Sequence, residues 1–304
     1  MSGAEMRRWP LTPALSPEGR GSNTPSDPVE PTVAHALASA QTRGLPRIDA
    51  QMLLLHALGR ALHDRAWLVA HDGDGLPPEA ATRFGALCTR RLAGEPVAYL
   101  TGAKAFHGLT LHIDARVLDP RDDTETLVDW ALELLPGDPP ARVLDLGTGS
   151  GAIALALAAA RPLAELWAVD ASADALVVAQ ANAERLNLRV QLRHGHWLAP
   201  VAGERFELIA SNPPYIAEGD PHLAALAHEP RAALVSGPDG LQDLRAICAA
   251  APAHLRPGAW LLLEHGHDQA AAVRSLLQAA GLAQVQSRRD LAGIERCSGG
   301  QLPG

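Results

Sequence analysis

The chain has 304 residues, with 26 basic against 34 acidic side chains and a formal net charge of −8 with histidine neutral. That balance argues against a general nucleic-acid binder, whose affinity requires a basic face that displaces counterions from phosphate. With 47% hydrophobic residues, the length supplies buried cores for about two domains. Cys88, Cys248 and Cys297 are far apart and form no C-x-x-C pair, so neither a disulfide framework nor a cysteine-rich zinc site is indicated, and a reducing cytoplasm fits. The apolar run 152–160 ends at Arg161, well short of the roughly 18 residues of a membrane helix. Residues 1–15 carry Arg7 and Arg8 without a continuous apolar segment, a poor signal peptide. A soluble cytoplasmic protein with no membrane partner is expected.

In chain order, residues 1–30 hold Pro10, Pro13, Pro17, Pro25 and Pro28. Such a composition cannot bury enough apolar surface to offset chain entropy and reads as a disordered extension. Residues 31–105 read as a small helical domain: Ile48, Met52, Leu55, Leu58 and Leu62 recur three or four apart, and Pro77-Pro78 punctuate a helix start. Residues 106–124 read as a hairpin and linker, strand-like over 106–118 with a turn at Gly108, followed by a helix near 124–135. Within 125–304, strands at 143–146, 166–170, 190–194, 206–211 and 260–263 alternate with helices at 152–160, 173–186, 241–251 and 269–280, and 283–301 supplies edge strands. That alternation predicts an α/β, Rossmann-like domain: a mostly parallel sheet covered on both faces, with ligands beyond the carboxyl ends of its strands.

At 143–151 a strand runs into Gly147-Thr148-Gly149-Ser150-Gly151, which opens a helix. The glycines let the backbone approach a ligand closely, and the helix start presents free N–H groups. Gly147-x-Gly149-x-x-Ala152 also satisfies the looser dinucleotide fingerprint, so a nicotinamide cofactor stays open at this point. Asp170 ends the next strand, where its carboxylate can accept from two ribose hydroxyls or cap the following helix. D-L-G-T-G-S-G followed by A-V-D at 168–170 resembles class I S-adenosylmethionine-dependent methyltransferases more than nicotinamide dehydrogenases.

The strand at 206–211 ends in Asn212-Pro213-Pro214-Tyr215. Two prolines remove two donors and fix two φ angles, leaving a rigid turn rich in carbonyl acceptors. The Asn212 side-chain oxygen and the Pro213 carbonyl can accept both hydrogens of a planar NH₂ group while the Tyr215 ring covers its face. The alternative is an ordinary turn with Tyr215 in the core. His194-Gly195-His196 and the segment from Glu264 to Asp268 each offer only a ligand pair at a strand end, so no metal is expected. Arg90-Arg91 reads as a solvated helix face.

N-P-P-Y in this setting is similar to methyltransferases of amino and amide nitrogens, and the remaining motifs resemble one branch, the release factor glutamine methyltransferase (HemK-like) family. I-D-A-Q-M-L-L-L-H-A-L-G at 48–59 and R-L-A-G-E-P-V-A-Y-L-T-G at 91–102 match its helical domain, and V-L-D-P-R-D-D-T-E at 117–125 stands at its linker. E-P-R-A-A-L at 229–234, S-G-P-D-G-L at 236–241, L-L-E-H-G at 262–266 and R-D-L-A-G-I-E-R at 289–296 continue the match.

The resemblance implies a two-domain enzyme that moves the methyl of S-adenosylmethionine onto the side-chain amide N(5) of the glutamine in the Gly-Gly-Gln loop of class I peptide chain release factors, in translation termination, with no direct nucleic-acid partner. It further implies that Gly147, Thr148, Gly149, Ser150 and Gly151 wrap the methionine part of the cofactor, Asp170 holds the ribose, and Trp197 lies against the adenine. Asn212, Pro213, Pro214 and Tyr215 would bind the substrate amide, with Asn212 also near the cofactor and Asn212, Pro213 and Tyr215 acting in catalysis. Two positions depart from the family pattern: His196 replaces an acidic residue before the tryptophan, and Asp122 replaces the linker's second proline, which predicts a looser linker. A methyltransferase of adenine or another base amino group and a cofactor-binding module without catalysis are the alternatives.

Overall fold

The computed structural model describes residues 31–135 and 140–304. The extension expected at 1–30 lies outside the described residues. The first part is helical: α1 (Val33–Thr42), α2 (Arg47–Ala57), α3 (Arg65–Ala70), α4 (Pro78–Leu92) and α5 (Val97–Thr101). Pro78 occupies the first turn of α4, where its missing donor has no helical partner to lose. These helices close a core of their own around Val33, Leu53, Leu54, Phe84 and Leu100. The helix read from the periodicity at 48–62 is present as α2, with Leu55 of that series buried and Met52 and Leu58 half-buried. Ala50, Leu53, Leu54, Leu55 and Ala57 are buried, whereas Ile48 is 48% exposed and Gly59, at φ 69°, follows the helix end. Contacts with α1, α4 and α5 on several sides enclose the centre of α2 and leave its first turn at the surface.

Gly102, in the left-handed region, ends α5, so the hairpin starts three residues earlier than the expected Phe106: β1 (Ala103–Phe106) pairs with β2 (Leu109–His112). His107 and Gly108 both have positive φ, the two-residue turn whose twist matches a hairpin. Residues 113–118, expected as strand, are loop and turn. A short 3₁₀ turn, Asp122–Thr124, then enters α6 (Glu125–Leu134). Glu125 accepts the His107 amide at 2.7 Å, and Asp122 pairs with Lys104 of β1 at 2.9 Å. The position that lacks the family's proline is thus tied to the hairpin by the chain's only lysine.

The remaining elements are β3 (Arg142–Leu146), α7 (Ala152–Ala160), β4 (Glu165–Asp170), α8 (Ala173–Leu186), β5 (Gln191–His194), β6 (Phe206–Ser211), α9 (Gln242–Ala250), β7 (Leu255–Glu264), α10 (Ala270–Ala279), β8 (Ala283–Arg289) and β9 (Glu295–Gln301). They form one seven-stranded sheet in the order β5-β4-β3-β6-β7-β9-β8, parallel from β5 to β7 and antiparallel at β9 and β8.

Alternation along the strands feeds two cores. Val143, Leu208, Ala210 and Leu262 face α6, α7 and α8; Leu144, Leu146, Ile209, Leu261 and Leu263 face α9 and α10. Helix α7, Ala-Ile-Ala-Leu-Ala-Leu-Ala-Ala-Ala, is buried on nearly every side, as an all-apolar helix must be. Among the described residues no helix is long and apolar enough to cross a membrane.

Asn182 of α8 is fully buried and joins three elements. Its Oδ1 accepts the His112 amide at 2.7 Å, and its Nδ2 donates to the carbonyls of His112 and Ser150 at 3.0 Å each. It therefore locks the hairpin to the glycine turn. Asn182→Ala strands these backbone groups and is expected to lower the unfolding free energy by about 2–3 kcal/mol. Chemical denaturation reads this, and a loss below about 0.5 kcal/mol would mean that the lock is redundant.

Candidate active site

The order of the strands reverses between β3 and β6: the sheet grows through β4 and β5 on one side and through β7 on the other. This switch point is where open α/β sheets form a crevice. The residues singled out from the sequence gather there, at the carboxyl ends of β3, β4 and β6 and just after β5.

Gly147, Gly149 and Gly151 have φ of 70°, 55° and 85°, conformations that L side chains reach only at a cost. Asp145 lies beneath them, fully buried; its Oδ2 accepts the Thr148 hydroxyl at 2.6 Å and the Ala154 amide at 3.2 Å, while Oδ1 has no partner. Burial pushes this carboxyl up to about 7, with the two hydrogen bonds opposing the shift and the negative charge of Asp170 adding to it. The Thr148 hydroxyl therefore points inward. Ser150 is buried as well, so what the loop offers a ligand is chiefly backbone.

Asp170 spans the loop and the next turn, its Oδ2 accepting from Gly149 N and its Oδ1 from Ser172 N, both at 2.8 Å. The cap of α8 is Ser172, whose hydroxyl accepts from Ala175 N, so the capping alternative for Asp170 does not hold. Each carboxylate oxygen has bonding capacity left for hydroxyl donors.

Trp197, at φ 46°, is half-buried. Its ring stands 3.4 Å from the point that a β-carbon on Gly147 would occupy, and the Asn212 carbonyl stands 3.9 Å from the same point. The indole Nε1 donates to Asp243 at 3.2 Å. His196 is exposed and sets its ring edge-on to the indole, with centroids 5.4 Å apart.

At the end of β6, Ser211 Oγ donates to the Leu146 carbonyl at 2.7 Å, which pins the Asn212 turn beside the glycine loop. Asn212 Nδ2 donates to Thr124 Oγ1 at 3.2 Å. Beyond the turn, Ile216 N donates to Leu234 O, and Ser236 N donates to Ile216 O. The Tyr215 carbonyl accepts from Gln269 Nε2 at 3.0 Å and packs on Gly240, where a β-carbon would stand only 2.3 Å away. The motifs at 229–234 and 236–241 thus serve as the brace of the turn. Tyr215 is half-buried against the α9–α10 core, and its hydroxyl donates to Glu264 Oε1 at 3.5 Å.

Glu264, at the end of β7, is 1% exposed, and its Oε2 has no partner. Burial pushes its carboxyl up to about 7, opposed by hydrogen bonding with Thr124 and Tyr215 and by the charge of Arg296, while Asp123 adds to the rise. Beside the substrate-side linker, Glu229 is buried and pairs with Arg121 while accepting from Asp119 N at 3.2 Å.

The histidine pairs have local partners. His194 Nε2 meets the Ala171 carbonyl, and buried His265 lies between Gly266 O and Ser298 Oγ. Among the described residues no group of three or more His, Cys, Asp or Glu is placed to hold a metal. Arg90 pairs with Glu95, and Arg91 reaches Asp49 of α2 at 2.7 Å, so the expected solvated pair is engaged on its own domain. Sequence reasoning did not assign roles to Asn182, Thr124 and Glu264. Their partners are remote in the chain, and only Glu264, after the apolar run 259–263, is marked locally by the sequence.

Family models match two stretches, a PrmC N-terminal domain at residues 32–102 and a methyltransferase small domain at 124–237. A Bordetella pertussis protein named release factor glutamine methyltransferase is 53% identical over 262 residues, which is 85% of this chain and 96% of that protein. An Escherichia coli K12 protein of the same name is 43% identical over 269 residues, 88% of this chain and 96% of its own length. A T. thermophilus 16S rRNA methyltransferase solved in complex with AdoMet superposes with a TM-score of 0.50 at 22% identity, covering 66% of this chain and 49% of that one; it shares the fold.

Alanine at Gly149 meets open space, whereas at Gly151 its methyl would stand 2.9 Å from Leu155 Cδ1. Gly149→Ala is expected to lower the unfolding free energy by about 1 kcal/mol and Gly151→Ala by about 2–3 kcal/mol. Denaturant titration of the two variants checks the order, and the reverse order would contradict the crowding at Gly151.

Proposed function

The chain belongs to the release factor glutamine methyltransferase family, and from that premise we propose that the crevice between β3 and β6 binds S-adenosylmethionine against the glycine loop and a release factor glutamine against Asn212-Pro213-Pro214-Tyr215. The observation that carries this reading is the approach of the Asn212 turn and the Trp197 ring to the Gly147 backbone. That space is open because residue 147 has no side chain. The residues fit the cofactor: Gly147 to Gly151 offer backbone to its methionine part, the Asp170 carboxylate accepts ribose hydroxyls, and Trp197 offers an aromatic face to adenine. His196, beside the indole, has a ring nitrogen able to accept from the adenine amino group in the place of the family's acidic residue.

When bound, S-adenosylmethionine supplies an electrophilic methyl on a sulfonium. The protein's task is orientation, because an amide nitrogen is a poor nucleophile whose lone pair is delocalised. With Asn212 Nδ2 committed to Thr124, Oδ1 is left to accept one amide hydrogen, and the Pro213 carbonyl accepts the other. The Tyr215 ring covers the face of the amide plane. Holding the nitrogen in line can contribute about 7–11 kcal/mol at the extreme. The nitrogen becomes far more acidic once it gains the methyl, so its proton leaves without a dedicated strong base. The helical domain, α1 to α5, and the hairpin-linker form the substrate-recognition part, and the Gly-Gly-Gln loop of a class I release factor is the substrate.

The test is transfer of labelled methyl to purified release factor, beside a variant whose Gly-Gly-Gln glutamine is alanine and beside DNA. Label on the unaltered release factor alone is expected, and label on DNA would favour a base amino group instead. Asn212→Ala is expected to cut turnover by about 10³-fold or more; near-normal kcat would overturn the trap. Asp170→Ala is expected to weaken S-adenosylmethionine binding by about tenfold or more in calorimetry, and unchanged affinity would leave Asp170 a purely structural tie between loop and turn.

A further inference from the structure

The turn that joins β8 to β9 holds Leu291-Ala292-Gly293-Ile294, four uncharged residues that all lie exposed. Leu291 is the most exposed large apolar side chain among the described residues, and Ile294 is 37% exposed. A single surface leucine needs no explanation, but a run of apolar residues held in water at a loop tip is a fault unless it binds something. The turn is also stiff. Asp290 N donates to Ile294 O at 2.8 Å and Gly293 N donates to Asp290 O at 2.9 Å, while Asp290 Oδ1 accepts from Ile294 N at 2.9 Å. Arg289 Nη1 donates to Gly293 O at 2.6 Å, and Gly293 has a φ of 80°. The Asp290 carboxylate is thus folded back into the turn, and the tip offers chiefly hydrocarbon.

Backbone register places this tip at the edge of the sheet that carries the crevice. Leu263 is the partner of Ser211 in the parallel β6–β7 pair, Cys297 is opposite Glu264 at the end of β7, and Arg289 is opposite Glu295. The 290–294 turn therefore rises from the carboxyl edge. Its strand β9 stands two places from β6, roughly 10 Å at ordinary strand spacing. Arg296 ties the tip to the linker: its Nε lies 3.1 Å from Asp290 Oδ2 and 3.4 Å from Asp123 Oδ2. The next linker residue, Thr124, meets Asn212, so the tip and the Asn212 turn share one frame.

A glutamine carried on a loop of a folded protein brings with it the surface around that loop, and this surface comes to rest on the rim of the crevice. We propose that the 290–294 turn is a docking knob for the protein substrate: Leu291 and Ile294 seat against an apolar patch of the release factor beside its Gly-Gly-Gln loop and fix the body of that protein while the glutamine enters the crevice. A tip already held by its own hydrogen bonds loses little freedom on docking. The knob touches neither the reacting amide nor the cofactor, so it acts on the capture of substrate and not on methyl transfer. The proposal rests on the reading of the crevice as the site of a release factor glutamine.

The test uses the full chain with purified release factor and compares Leu291→Asp, Leu291→Ser and Leu291→Met. Leu163→Asp is the control, because Leu163 is also well exposed but precedes β4 and so lies at the opposite, amino edge of the sheet. Leu291→Asp is expected to raise the KM for release factor about tenfold or more, with kcat at saturating release factor, S-adenosylmethionine affinity and melting temperature close to those of the parent. Leu291→Ser is expected to shift KM in the same direction, and Leu291→Met and Leu163→Asp to keep the KM of the parent.

A KM for Leu291→Asp within about twofold of the parent, or an equal rise in Leu163→Asp, would overturn the proposal. So would a loss that falls on kcat alone. If Leu291→Asp does not fold, Leu291→Ser against Leu291→Met decides, and equal KM values overturn the proposal. Sedimentation run alongside tests a second copy of the chain as the occupant: a parent dimer that Leu291→Asp dissociates without change in KM assigns the tip to self-association and overturns the proposal. Failure of the parent chain to label release factor removes the reading of the crevice itself, whereas a labelled release factor with unchanged KM in Leu291→Asp removes only the knob.

Discussion

The contact between β3 and β6 is the constraint on which the rest depends. It is the one place in the sheet where two parallel strands send their chains in opposite directions, so their carboxyl ends leave a gap that no crossover fills. The Ser211 hydroxyl on the Leu146 carbonyl holds the two ends level. From that level edge the glycine loop turns one way and the Asn212 turn the other. The prolines at 213 and 214 make the second turn rigid, and the pairing of residue 216 with 234–236 prevents it from swinging away. A site whose work is orientation is thus built from stiff parts fixed at both ends.

The floor beneath both turns is acidic and dry. Asp145 under the glycine loop and Glu264 under the Asn212 turn are each fully buried, each pushed up to about 7 chiefly by burial, and each has one oxygen without a partner. Because the folded state holds these two protons more tightly than the unfolded chain, their contribution to stability is unaffected below about pH 4 and declines as pH rises through about 7. A well-packed apolar pair would be more stable. What the carboxyls supply is direction. Asp145 turns Thr148 inward and anchors the first turn of α7, and Glu264 receives the Tyr215 hydroxyl.

The features legible in the sequence are those whose chemistry is local. Glycines at alternate positions after an apolar strand have few other uses, and Asn-Pro-Pro-Tyr at a strand end announces a rigid row of acceptors. Regular α/β alternation gave the sheet and its covering helices for the same reason. Features that depend on partners far along the chain were not legible. Asn182 sits in an ordinary-looking helix, and its three bonds reach residues 112 and 150. Glu264 looked like half of a weak ligand pair with the nearby histidines, whereas the hydroxyl it receives comes from residue 215. The periodicity at 48–62 announced the helix α2 but not every residue it buries, because a helix enclosed on several sides has no single periodic face to read.

The two departures from the family pattern fall in different mechanical settings. Proline in the linker would act through the unfolded state by limiting its conformations; Asp122 gives that up, and the Lys104 ion pair acts only in the folded one. With Asp122 83% exposed, such a pair contributes little by itself. The linker is held more firmly by its neighbours, Arg121 on buried Glu229 and Glu125 on the hairpin amide. Thr124 lies between these two anchors. The stretch that carries the departure is therefore bracketed by these contacts, and the loss of one proline is absorbed on the solvent side of the linker, away from the Thr124 hydroxyl that meets Asn212. His196 is likewise on the outer side of Trp197, while the indole is held from its other end by Asp243. Both substitutions sit where the fold leaves room, clear of the Asn212–Thr124 and Tyr215–Glu264 hydrogen bonds.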